Sequence, residues 1–189
     1  MALKSAVFID KDGTLIEDVP FNVNPDEIRL MPGAAEALSR LVMAGYELYV
    51  ISNQPGVAMG KFTAGDLSGV EERIRELLED CAGRIKKFYW CTHASDQGCV
   101  CRKPEPGMFF QAAAEQGIDL RSSWMIGDIL HDVEAGHRAG CRSILVENGN
   151  ETEWQLSPAI RVPDYMAKDL EDAVAEILCT ESWSEGGAA

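Results

Sequence analysis

Short apolar runs alternate with amphipathic stretches along this 189-residue chain. Runs at Ala6 to Asp10, Glu47 to Ser52, Ile85 to Trp90, Trp124 to Gly127 and Arg142 to Val146 are rich in β-branched and aromatic residues and predict buried strands. Helical spacing appears between them. Pro32-Gly33 opens a segment in which Ala34, Ala37, Leu38, Leu41 and Val42 share one face, closed by Gly45. Leu67, Val70, Ile74 and Leu77 repeat at helical intervals within Thr63 to Leu78, and Pro106 to Gln116, His131 to Ala139 and Met166 to Leu178 complete the set. This alternation predicts a parallel sheet with helices on both faces and right-handed crossovers. The length suits one domain, expected over 1–180, with 181–189 as a flexible tail.

The first strand delivers Asp10 and Asp12 onto a Gly13-Thr14 turn, at the sheet edge where open α/β sheets bind ligands. A carboxylate there can attack phosphorus if a cation neutralises it, and a second can shuttle the leaving-group proton. A plain Asp-x-Asp-Gly turn or a calcium loop fits the same residues. Asp128, before a predicted helix, is either a metal ligand or an ordinary helix cap.

Net charge changes the picture by exclusion. At −14 the chain lacks the broad positive footprint that nucleic acid or an anionic membrane needs, while local Lys and Arg can still hold a small anion. No apolar run approaches the roughly eighteen residues that span a bilayer, and a cytoplasmic, monomeric protein is expected. Of the six cysteines, Cys91, Cys99 and Cys101 crowd together with His93. That spacing suits a closed tetrahedral zinc site of structural type, fastening the loop 91–101, better than a disulfide framework; reduced thiols in a loop are the alternative. Cys81, Cys141 and Cys179 are expected to be buried small hydrophobes.

Asp10-Lys11-Asp12-Gly13-Thr14, Ile51-Ser52-Asn53, Arg102-Lys103-Pro104 and Gly127-Asp128 with Asp132 resemble, in order, the four motifs of the haloacid-dehalogenase (HAD) phosphohydrolases. The stretch Asn53 to Phe62 and the Cys91–Met108 region are similar to the subfamily IIIA branch of heptose bisphosphate and histidinol phosphatases. The resemblance implies a Rossmann-like three-layer α/β/α sandwich, with Asp18 to Leu30 and Pro55 to Phe62 forming a minimal cap of loops. It implies Asp10 as nucleophile, Asp12 as acid and base, and Mg²⁺ held by Asp10, the Asp12 main-chain carbonyl and Asp128. Ser52 and Lys103 would contact the phosphoryl group and Asn53 and Arg102 the substrate, while Asp132 would orient the metal site. The implied reaction is removal of the 7-phosphate of D-glycero-D-manno-heptose 1,7-bisphosphate, a small phosphorylated metabolite on the way to the lipopolysaccharide core. The short gap between His93 and Cys99 also suits a histidinol-phosphate phosphatase. An idle, zinc-stabilised phosphate-binding module is the reading from another class. Two positions depart from the pattern: Ile129 stands where the branch carries Lys or Arg, and Met59 where heptose phosphatases commonly have Arg.

Overall fold

The computed structural model describes residues 3–79 and 84–185. Six parallel strands form one sheet: β1 (Ala6–Ile9), β2 (Glu47–Asn53), β3 (Ile85–Cys91), β4 (Trp124–Gly127), β5 (Arg142–Val146) and β6 (Tyr165–Ala167), in the order β3-β2-β1-β4-β5-β6. The helices are α1 (Ala34–Met43), α2 (Asp66–Leu77), α3 (Gly107–Gln116), α4 (Leu130–Ala139) and α5 (Leu170–Glu185).

Alternation along β1 assigns the two core layers. Val7 and Ile9 face a layer built with Leu38 and Leu41 of α1, Val70 and Ile74 of α2, and Val174 and Ile177 of α5. Ala6 and Phe8 face the opposite layer, with Met108, Phe109 and Ala112 of α3 and Ala135 of α4. Strands buried on both faces read as continuous apolar runs, which is why β1 and β4 have no polar residue before their C-terminal ends.

Three expectations meet a different structure. The stretch from Met166 is not wholly helical: Tyr165–Ala167 is an edge strand paired with Ile144–Val146, and the helix begins only at Leu170. Three residues with Met166 exposed are too short to show a period of two. Cys179 is exposed on α5, not buried, whereas Cys141 is buried and Cys81 lies outside the described residues. Helix α5 runs on to Glu185, into the segment expected as a tail, and 186–189 lie outside the described residues.

The chain winds outward from β1 in one direction to β3 and then returns to place β4 on its other side. Ile9 is in register with Ile126, and the Asp10 amide donates to the Ile126 carbonyl at 2.9 Å. The crevice beyond the carboxyl ends of β1 and β4 is therefore the topological switch point of the sheet. The loops 17–30 and 54–63 rim it, joined where the Lys61 ammonium stands 4.8 Å over the Phe21 ring.

Candidate active site

Asp10 and Asp128 emerge side by side from β1 and β4, because a parallel sheet presents every strand's carboxyl end at one edge. Carboxylate oxygens of Asp10, Asp128 and Asp132 all lie within 4.8 Å of one another. All three residues are buried.

Lys103 enters this cluster from the loop before α3. Its Nζ donates to Asp10 Oδ1, to the Ile51 carbonyl at 3.1 Å and pairs with Asp132 Oδ1 at 2.6 Å. Two of these contacts are hydrogen bonds and the third is an ion pair, so the ammonium is held between two carboxylates and a carbonyl. Burial alone would lower the Lys103 pKa, but the charges of Asp10 and Asp132 overcome it and hold the ammonium above its ordinary value. Burial pushes Asp10 well up; Lys103 pulls it down, and Asp132, Asp128 and Asp12 push it up again. Asp128 is raised to about 6, first by burial and then by Asp132, against the hydrogen bonds of Asn150 and Asn148. Three clustered carboxylates face one ammonium, and the imbalance calls for a further cation. Oxygen-only donors suit a hard divalent ion, which usually keeps several waters of its own.

Asp12 stands apart from this cluster. Its Oδ1 pairs with the buried Lys11 ammonium at 2.8 Å, and its Oδ2 accepts from Gln54 Nε2 at 3.0 Å. Gln54 also donates to Ser52 Oγ at 2.9 Å, tying the end of β2 to the first turn. Asn53, expected at the substrate, gives both ends of its amide to Lys103: Nδ2 donates to the Lys103 carbonyl and Oδ1 accepts from the Lys103 amide, each at 3.0 Å. Arg102 is half-buried and reaches back to the His93 carbonyl at 3.5 Å.

Asp128 does not cap α4. Ile129 occupies the N-cap position and has no polar side chain. Asp132 Oδ2 accepts from the Ile129 amide at 3.3 Å, and Glu151, from the loop after β5, accepts from the Leu130 amide at 2.6 Å. Asn148 and Asn150 of that same loop donate to Asp128 Oδ2 at 3.2 and 2.7 Å. Lys11, Gln54, Asn148, Asn150 and Glu151 were not picked out from the sequence. The available signal was positional: Gln54 is the first residue and Asn148 the second beyond the carboxyl end of a parallel strand.

Cys91, His93, Cys99 and Cys101 converge beside the Arg102-Lys103 loop. Sulfur separations are 3.3 to 3.6 Å, and His93 Nδ1 lies 3.2 Å from Cys101 Sγ and 3.6 Å from Cys91 Sγ. Four ligands at metal bond lengths of ~2.0–2.3 Å around one tetrahedral centre stand ~3.5–3.8 Å apart, so the cage is close to that size. Burial pushes the Cys91 thiol up to about 12, and a buried thiol of that kind ionises at neutral pH when a cation takes its place beside the sulfur.

A recess of about 550 Å³ opens next to the cluster, lined by Ser95, Val100, Arg102, Lys103 and His131 among others. Glu105, at its edge, is neutralised by Arg138. Half-buried Ile129 adds no charge, and exposed Met59 lies on the rim loop.

The HAD-hydrolase-like family model matches residues 100–173. A D-glycero-beta-D-manno-heptose-1,7-bisphosphate 7-phosphatase of Bordetella bronchiseptica is 33% identical over 177 residues, covering 93% of this chain and 98% of its own. A D-glycero-D-manno-heptose-1,7-bisphosphate 7-phosphatase of Thermosynechococcus vestitus is 35% identical over 94% of this chain and 96% of its own. Among solved structures, the D,D-heptose 1,7-bisphosphate phosphatase from B. bronchiseptica, complexed with magnesium and phosphate, superimposes with a TM-score of 0.84 at 30% identity, over 93% of this chain and 99% of that one.

Proposed function

Because the chain belongs to the HAD-like hydrolases, we propose that it is a Mg²⁺-dependent phosphomonoesterase that removes the 7-phosphate of D-glycero-D-manno-heptose 1,7-bisphosphate. The observation that carries the reading is the buried Asp10 carboxylate, held by Lys103 beside Asp128, with Asp12 two residues away and gripped at both oxygens. The relatives named above supply the substrate.

Asp10 attacks phosphorus as the ester P–O bond breaks, and Asp12 gives its proton to the departing alkoxide, leaving an aspartyl-phosphate on Asp10. Asp12, now a carboxylate, takes a proton from water whose oxygen attacks phosphorus, so that phosphate leaves and Asp10 is restored. Mg²⁺, held by Asp10, Asp128 and the Asp12 carbonyl, would neutralise the phosphoryl oxygens. Ser52 donates to a phosphoryl oxygen, and Lys103 opposes negative charge developing beside Asp10. Asn53 acts through Lys103, pinning its backbone. Arg102 and the recess take the sugar and its second phosphate.

In this reading Cys91, His93, Cys99 and Cys101 hold a structural Zn²⁺ that stiffens the loop bearing Arg102 and Lys103. Reduced thiols of this kind belong to a cytoplasmic enzyme, here one serving the lipopolysaccharide core as a monomer. Among the described residues, no helix is long and apolar enough to cross a membrane.

Steady-state phosphate release with Mg²⁺ from the heptose bisphosphate, the matching monophosphate and histidinol phosphate tests the proposal. The highest kcat/KM is expected on the bisphosphate. A higher value on histidinol phosphate would move the substrate, and no release from any of the three would leave a phosphate-binding module.

A further inference from the structure

We infer that Asn148 and Asn150, in the loop after β5, are positioning residues that select which oxygen of Asp128 meets the cation. The inference rests on the proposed metal role of Asp128. A carboxylate has two oxygens, and here one of them is fully engaged: Asp128 Oδ2 accepts from Asn150 Nδ2 at 2.7 Å and from Asn148 Nδ2 at 3.2 Å. Oδ1 accepts no hydrogen bond among the described residues, which leaves it for a cation shared with Asp10 and Asp132. Both donors are neutral amides, so they orient the carboxylate without removing the charge that a cation needs. A lysine in their place would orient it equally well and compete with the metal.

Local backbone chemistry builds the pair. Asn148 Oδ1 accepts from the Asn150 amide at 3.0 Å, and Gly149 between them has φ +90°. That left-handed residue turns the chain back so that two side chains two apart reach one oxygen. Asn148 Nδ2 also donates to the Gly13 carbonyl at 2.7 Å, which ties the loop to the turn carrying Asp12. Gly13 itself has no room for a side chain, since a Cβ there would fall 2.1 Å from Asp128 Oδ2 and 2.5 Å from Asn150 Nδ2. One residue further on, Glu151 caps α4 through the Leu130 amide. The first turn, the end of β4 and the start of α4 are thus locked by one loop of four residues, Asn148–Glu151.

The test is Mn²⁺ binding to zinc-loaded protein, followed by electron paramagnetic resonance, for wild type, Asn150→Ala, Asn148→Ala and Asp128→Asn. Loss of an outer partner of a metal ligand weakens affinity roughly 10- to 100-fold. Asn150 is an exposed residue, so Asn150→Ala should fold with a melting temperature near wild type and bind Mn²⁺ at least about tenfold more weakly. Its kcat should return at saturating Mg²⁺, an outcome that a purely structural lesion would not give. Unchanged Mn²⁺ affinity in both asparagine variants, with Asp128→Asn abolishing binding, would overturn the inference and leave the metal role of Asp128 intact. Undiminished binding by Asp128→Asn would instead remove the metal role itself.

Discussion

Mg²⁺ affinity should fall steeply with acid, and the reason lies in how Asp128 is buried. Its carboxyl titrates at about 6, raised first by burial and then by Asp132, although Asn150 and Asn148 hydrogen bonds oppose the rise. A cation at Asp128 competes with that proton, so the apparent dissociation constant scales as one plus the ratio of proton concentration to the acid constant. With the group titrating at about 6, this factor is roughly 1.1 at about pH 7 and roughly 11 at about pH 5, a tenfold loss. Asp10, also raised by burial, must shed its proton too, which makes tenfold a lower bound. The sign extends to stability. A carboxyl whose folded pKa lies above the unfolded value stabilises the metal-free fold below about 4 and loses that contribution as pH rises through about 6. From the ordinary 3.8 to about 6 the span is worth at most ~3 kcal/mol. Calorimetric titration of Mg²⁺ into zinc-loaded, magnesium-free protein at the two pH values is the assay. An affinity at about pH 5 within about twofold of that at about pH 7 would refute the argument, because Asp128 would then be either fully ionised or no ligand.

Three further outcomes follow from the same site. Asp10→Asn should lower kcat by at least ~10³-fold, the scale for an essential covalent group; substantial turnover by the purified variant would remove the aspartyl-phosphate. Elemental analysis of protein prepared without chelators should find about one zinc per chain, less in Cys99→Ser, whose harm should fall on stability and substrate binding since the cage does not include the reacting cluster. Ile129→Lys should raise kcat/KM for the bisphosphate about threefold to tenfold over the monophosphate, if a new partly exposed ion pair contributes ~1 kcal/mol; equal changes on both substrates would mean that position 129 does not face the distal group.

The order of strands and helices, the two aspartates after β1, the metal-ligand spacing of Cys91 to Cys101 and the motif order could all be read along the chain, because each is a local pattern of apolar period or residue spacing. Strand β6 escaped because three residues at a sheet edge, one of them exposed, carry no period. Asn53 was legible as a polar residue at the end of β2, but its amide turned out to hold Lys103, a residue 50 positions away. Lys11, Gln54, Asn148 and Asn150 looked like ordinary polar residues of turns. Which oxygen each would meet depends on β1 pairing with both β2 and β4, and on β5 pairing with β4, across separations of up to 135 residues. Hydrogen bonds act over about 3 Å, so a donor's partner is decided only when the sheet has brought distant segments together, whereas helix and strand periods are set by neighbours along the backbone.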